Sequence, residues 1–343
     1  MKVLLAACFA FLSLIPQAQA AQPVTTAITG QLEGPDRTAK LVAGAKAEKT
    51  VSVYSSVRVD AITEVARAFE KKYGVKVDLW RGTAADILAR VSAESRGGRK
   101  SVDVVEGASA DIEPLVRQRL FQEVRSPLFP DLMADAFVPG RPWVSARLSV
   151  FTAAYNTRLV KAADLPKSYD DLVNWKAKIG IEAGDANWLM SMAQIMGEAK
   201  AVKLLRDIAS KPGFSPRVGH TLLANLVASG EIPLSITLYT DAVEELKKSG
   251  APIEMIPLEP LMAMLNAAGV MKDAPHPYAA MLFLDFWLSD AQPILAAHHY
   301  PTTNRKFAYL PGGGLYRMMD SSRYIDESAK WNALFKDIIT PRR

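Results

Sequence analysis

From Thr50 onward, two hydrophobic rhythms alternate along the chain. TVSVYS (50–55) is a short β-type run. In DAITEVARAFEKKYG (60–74), Ile62, Val65, Phe69 and Tyr73 fall on one helix face, with Gly74 as the stop. VKVDLW (75–80) alternates like a strand, and Thr83, with Asp86 three residues on, starts a helix whose Ile87, Leu88 and Val91 face inward. SVDVVE (101–106) and a helix from about Ala110 repeat the unit. After a loop-rich stretch, 126–143, the apolar run LSVFTAAYN (148–156) is read as a segment crossing between two lobes. Alternation then resumes with a strand at 178–183, helices near 187–197, 198–210 and 221–229, a strand at 232–239 and a helix to Lys248. A strand at 252–257, an apolar segment ending at Val270 and Met271, and a helix at 277–289 complete it. Strands alternating with helices in this way predict an α/β architecture with mostly parallel sheets.

The first residues follow a different pattern. Met1-Lys2 leads into an apolar run from Val3 to Pro16 and then Ala18-Gln19-Ala20, the layout of a cleavable secretory signal over 1–20, cut after about Ala20. A membrane span needs about 20 apolar residues, and this run is shorter. Residues 21–48 are polar, rich in small residues and without a clear period, and are read as an extended leader.

Composition narrows the class. The single cysteine, Cys8, lies inside the signal, so the mature chain has no thiol for a disulfide, a thiolate metal site or a cysteine nucleophile. With 343 residues, 49% hydrophobic and 22% charged, the chain can bury a large core divided between two lobes. The net charge of +5 is spread without a basic block or aromatic interleaving, which argues against a nucleic-acid partner.

In open α/β sheets, ligands sit beyond the carboxyl ends of the strands. Here those ends carry Ser55, Ser56 and Arg58; Arg81, Gly82 and Thr83; Glu106 to Ser109; Asp185 to Asn187; and Tyr239 to Asp241. Hydroxyls, amides, arginines and one tyrosine suit hydrogen bonding to a small polar ligand better than covalent catalysis.

Several pieces in order, VSVYSS, AFEKKYGVKVDLWRGTAADILARVSAE, VDVVEGASAD, AAYNTRLVKAADLPKSYDDL, VASGEIPLSITLYTDA, KDAPHPYAAMLFLDFWLSDAQPIL and YPTTN, resemble the periplasmic solute-binding proteins of ABC importers, in the branch that includes ferric-ion binders. They span about residues 50–305. The resemblance implies a two-lobed type 2 periplasmic-binding-protein fold with a ligand cleft between the lobes. It also implies a monomer located in the periplasm, a small-molecule ligand, delivery to an ABC permease in the inner membrane, and no cofactor or catalytic residue. The N-lobe is expected at 49–148 plus 263–312 and the C-lobe at 149–262 plus 313–343, with YPTTN near hinge and cleft.

Ferric binders of this family place two adjacent tyrosines at the end of the strand that here ends in Tyr239-Thr240. A threonine is a poor anionic ligand, and Arg58 and Arg81 favour an anion. The expected ligand is therefore small and polar or anionic, met by Ser55, Ser56, Arg58, Arg81, Thr83, Glu106 and Asn187, with Tyr239 and Trp188 closing over it. The alternative is ferric iron on a reduced site of Tyr239, Glu106 and Asp241. Other classes are a secreted hydrolase using carboxylates such as Glu106 and Asp241, and a sensor subunit that touches a receptor. Against hydrolysis, GASAD (107–111) misses the Gly-x-Ser-x-Gly elbow, and none of His220, His276, His298 and His299 has metal-protease spacing. PGGGL (311–315) reads as a turn and not a phosphate loop.

Overall fold

The computed structural model describes residues 32–138, 140, 142–307 and 316–340. The expected signal sequence and the PGGGL stretch lie outside the described residues. Described helices and strands run α1 (Arg37–Glu48), β1 (Thr50–Ser55), α2 (Val59–Tyr73), β2 (Lys76–Arg81), α3 (Ala84–Arg96), β3 (Val104–Ala108), α4 (Ser109–Arg117), β4 (Val144–Asn156), β5 (Ile179–Glu182), α5 (Ala186–Met196) and α6 (Glu198–Ser210). They continue with β6 (Phe214–Arg217), α7 (His220–Ser229), β7 (Leu234–Tyr239), α8 (Thr240–Lys248), β8 (Ile253–Ile256), β9 (Leu261–Val270), α9 (Pro277–Leu288), α10 (Ala291–Ala297), β10 (Tyr316–Met318) and α11 (Ser321–Ile339).

The strands lie in the order β2-β1-β3-β9-β4-β7-β5-β6, with β10 beside β9 and β8 beside β4. β1 is parallel to β2 and β3, and β5 is parallel to β6 and β7. The expectation of mostly parallel sheets needs correcting at the centre. There β9 runs antiparallel to β3 and β4, and β4 runs antiparallel to β7 and β8. These long strands carry the chain from one lobe to the other and back, which a βαβ crossover within one sheet cannot do.

β4 shows how the lobes are joined. Its first half, Val144 to Val150, pairs with β9, and its second half, Phe151 to Asn156, pairs with β7 and β8. Burial on both faces is why this stretch reads as a continuous apolar run. The core divides at the same place. Val53, Phe69, Leu148, Val150, Phe283 and Trp287 belong to one cluster, and Phe151, Trp188, Leu205, Trp331 and Phe335 to another. A smaller cluster of Ala154, Leu223, Ile232 and Leu238 lies under α7 and α8.

The leader is also corrected, because residues 37–48 form α1 and not an extended segment. Leu41 and Ala45 are fully buried in the first core, and the guanidinium of Arg37 pairs with Asp285 of α9. At the far end Glu48 accepts the Tyr278 and Ala279 amides at 3.2 and 2.8 Å, satisfying two of the N–H groups that α9 leaves free at its start. The anticipated cap of α3 is present: Thr83 Oγ1 accepts the Asp86 amide at 3.1 Å, and Asp86 accepts the Thr83 amide at 3.0 Å.

Candidate functional site

Phe151, the first residue of β4 on the second-lobe side, stands opposite Tyr239, the last residue of β7. Tyr239 therefore sits at the seam, one residue before α8 begins. Its ring meets Phe151 edge-on at 4.9 Å between centroids and stacks on His220, the first residue of α7, at 3.9 Å. Around this stack the ends of β3, β5 and β7 gather carboxylates. Asp185, Glu182, Asp111 and Asp241 all act on the Tyr239 phenol, and with burial, the largest cause, they push its ionisation well above the usual range.

The carboxylates feel one another as well. Asp111 is pushed up to about 6, by burial first and then by Asp185 and Glu182. Asp185 is also pushed up to about 6 by burial, against the pull of His220, whose Nε2 lies 3.1 Å from Asp185 Oδ2. For His220, burial favours the neutral ring, but Asp185 and Glu182 outweigh it and hold the imidazole above its ordinary value. Glu182 is fixed from both sides, accepting the Gly184 amide at 2.5 Å and the Gly219 amide at 2.9 Å. One ligand atom each from Glu182, Asp185 and His220 lies within 4.8 Å of the others, close enough to hold one metal ion, with Tyr239 stacked beside them.

The residues singled out from sequence separate into groups. Ser55, Ser56 and Glu106 come together with Arg147 in a buried network. Glu106 accepts from Ser55 Oγ at 2.8 Å, from the Ser56 amide at 3.2 Å and from Arg147 Nε at 2.9 Å, while Arg147 also donates to Ser56 Oγ at 3.0 Å. Arg58 donates to Asp241 Oδ2 at 2.7 Å and reaches Glu245 at 3.5 Å, tying the end of β1 to α8 of the other lobe. Arg58 and Arg147 both lie over the Tyr300 ring, at 4.8 and 5.0 Å. Arg81 is exposed and donates to the Val57 carbonyl. The Thr83 hydroxyl is engaged in its cap. Asn187 donates to Met264 Sδ at 3.4 Å, and Trp188 is wholly buried against Tyr169, inside the core.

A family model for bacterial extracellular solute-binding proteins matches residues 50–301. The chain belongs to this family. As a solute-binding protein it serves as the binding component of an ABC transporter, with a permease as its partner and the two-lobed periplasmic-binding-protein fold. It is 24% identical over 276 residues to iron uptake protein A1 of Synechocystis sp., covering 74% of this chain and 75% of that protein. It is 23% identical to the Fe(3+)-binding periplasmic protein of Serratia marcescens, covering 79% and 81%. Among solved structures, a periplasmic binding protein of Actinobacillus pleuropneumoniae with exogenous fructose-6-phosphate bound superposes with a TM-score of 0.75 at 23% identity, over 86% of this chain and 100% of that one.

Sequence reasoning missed part of this solute-binding protein's seam. His220, Glu182, Asp111, Arg147 and Tyr300 were not singled out as site residues, and Asp185 was noted only as a strand end. No spacing rule joins 182, 185 and 220, which the parallel pairing of β5 with β6 brings together. The available signal was positional: each of the acids stands at or just after the carboxyl end of a strand. A second group, Asp60, Glu245 and His298, also brings ligand atoms within 4.8 Å of one another, but Arg58 lies against it at 3.6 Å from Asp60, so it reads as an ion-pair cluster between lobes.

Proposed function

We propose that this protein is a periplasmic carrier for a hard metal cation, ferric ion foremost, which it takes between its lobes and passes to an inner-membrane permease. The observation that carries this reading is the charge of the pocket. Asp111, Glu182, Asp185 and Asp241 surround the Tyr239 phenol and His220, and the nearby arginines are already matched, Arg58 by Asp241 and Arg147 by Glu106. A phosphate or carboxylate there would meet unpaired like charge, whereas a trivalent ion favours carboxylate and phenolate oxygens. The names of the relatives from Synechocystis and Serratia point the same way. The anionic ligand expected from Arg58 and Arg81 is set aside on these grounds.

In this reading Tyr239, Asp185, Glu182 and His220 hold the ion, and Asp241 balances Arg58 at its edge. Thr240, in place of a second tyrosine, is buried and its hydroxyl has no hydrogen-bond partner among the described residues. Tyr239 would then supply the sole phenolate. The protein acts as an exported monomer without catalysis, because Glu106 and Asp241, the carboxylates a hydrolase would need, are both held by arginines.

The test is a titration of stripped protein with ferric citrate, read by melting temperature and by the visible phenolate-to-iron charge-transfer band. A ligand at a hundred times its dissociation constant adds about 2.7 kcal/mol. The expected result is a shift and a band with ferric ion, the band lost and the shift reduced in Tyr239→Phe. A shift with fructose-6-phosphate or inorganic phosphate and none with ferric ion overturns the proposal.

A further inference from the structure

Away from the seam, α4 is closed by an arginine in a glycine's conformation. Arg119 lies in the left-handed region at φ 58°, its amide donating to the Val116 carbonyl at 2.8 Å while the Leu120 amide donates to the Leu115 carbonyl at 3.2 Å. Glycine is the usual occupant of such a position, and an arginine adopts it only under strain. The Arg119 side chain is exposed and makes no hydrogen bond or ion pair with any described residue.

Arg119 lines a cavity of about 490 Å³ in the first lobe, within the size range of small-molecule sites. The other walls are largely aromatic. Phe121 and Trp143 are buried in the first core, and Phe129 and Phe137, half-buried, meet edge-on at 4.9 Å between centroids. None of the lining residues belongs to the pocket around Tyr239.

Charge at this cavity leaves one cation open. Arg125, also on its wall, is paired with Glu33 at 2.9 Å and lies in the field of Glu123. Arg119 also borders a smaller crevice, where Glu94 is taken by Arg90 and Asp273 by Lys100, while Arg99 and Lys272 make no ion pair with any described residue. An unpaired guanidinium in a positive field beside aromatic walls suits one anionic group carried on an apolar ring.

We propose that this cavity is an accessory binding site, separate from the cargo pocket, for a small aromatic carboxylate. The ring packs among Phe121, Phe129, Phe137 and Trp143, and Arg119 donates to the carboxylate through its planar fork. The strained backbone then has a use, because the glycine that fits it best would bring no charge to the cavity. An inorganic anion lacks the apolar body and a neutral ring lacks the charge, so each binds more weakly.

The experiment titrates the full-length mature protein, labelled with nitrogen-15 at the tryptophan indoles, with phenylacetate, neutral phenylacetamide and inorganic phosphate. Binding is read by calorimetry and by the Trp143 indole cross-peak, assigned by its absence in Trp143→Phe. Phenylacetate should move that peak saturably with millimolar or tighter affinity. Arg119→Gly should melt no lower than wild type, since glycine relieves the backbone, yet bind phenylacetate about tenfold more weakly. Phenylacetamide should bind both proteins alike, Arg119→Lys should recover part of the phenylacetate affinity, and the response to ferric citrate should be the same in Arg119→Gly as in wild type. An unmoved Trp143 peak overturns the proposal, as does equal phenylacetate affinity in Arg119→Gly and wild type. Phosphate binding as tightly as phenylacetate overturns it too, because the aromatic walls would then contribute nothing.

Discussion

The imidazole of His220 lies over the phenol of Tyr239 with ring centroids 3.9 Å apart and planes 18° from parallel. The stack joins the start of α7 to the end of β7, and the phenol oxygen makes no hydrogen bond with any of the described residues. Tyr239→Phe keeps both ring contacts and removes only the hydroxyl. Thermal stability of the cargo-free protein should change by no more than about 0.5 kcal/mol. Ferric binding should fall by an order of magnitude or more. Differential scanning calorimetry and equilibrium dialysis against ferric citrate, which needs no phenolate band, check the two halves separately, and a large loss of stability would place the hydroxyl in the fold and not in the site.

Asp111 and Asp185 are each held near 6 in the folded protein, by burial before any other cause, against an ordinary value of 3.8. A carboxyl raised on folding contributes stability that is complete below its unfolded value and is lost as pH rises through the folded one. The cargo-free protein should therefore melt higher at pH 5 than at pH 7.5, by ~2–4 °C for each kcal/mol gained. Protons and cargo compete for these carboxylates, so ferric affinity should move the opposite way and weaken as pH falls. Melting curves across this window, with Asp185→Asn as the control that flattens them, provide the check.

How much of this was legible depended on how local each signal was. The helix face of Ile62, Val65 and Phe69, the Thr83–Asp86 cap and the strand ending at Tyr239 are written within a few residues, and the structure has them. α1 was missed because its apolar stripe is only Leu41 and Ala45, and what makes it a helix is Tyr278, Asp285 and their neighbours more than two hundred residues away. The antiparallel centre was missed because periodicity says what a strand buries, not which way its partner runs. Arg58 and Arg81 were assigned to a ligand on their charge and their place at strand ends, and sequence could not show that Asp241 and a backbone carbonyl accept from them.

Glu106 and Arg147 form the most deeply buried ion pair of the seam, 2.8 Å apart with side chains 3% and 4% exposed. Arg147→Met would leave Glu106 charged and buried with only Ser55 and Ser56 as donors, and breaking such a pair costs about 3–5 kcal/mol. Arg81→Ala, at an exposed strand end, should lie within about 0.5 kcal/mol of wild type. Urea denaturation of the two variants gives the contrast directly. Equal midpoints would mean that the Glu106 network contributes specificity of closure and not stability.

Gly44 stands in the middle of α1, where glycine normally weakens a helix by about 1 kcal/mol relative to alanine. Propensity alone therefore predicts that Gly44→Ala stabilises. The packing predicts the reverse, because a Cβ at this position would come within 2.2 Å of the Tyr278 ring, and the first turn of α9 that carries this ring is held by Glu48 at the end of α1 itself. The ring cannot retreat without breaking the contact that positions it. Overpacking of this kind costs about 1–3 kcal/mol, which exceeds the propensity gain. A lower melting temperature in Gly44→Ala, with a loss in the double variant Gly44→Ala with Tyr278→Ala smaller than the sum of the two single losses, would show that α1 is docked on α9 as an integral part of the first lobe. A higher one would mean that α1 lifts away from α9 at little cost and behaves as the loose leader its composition suggests.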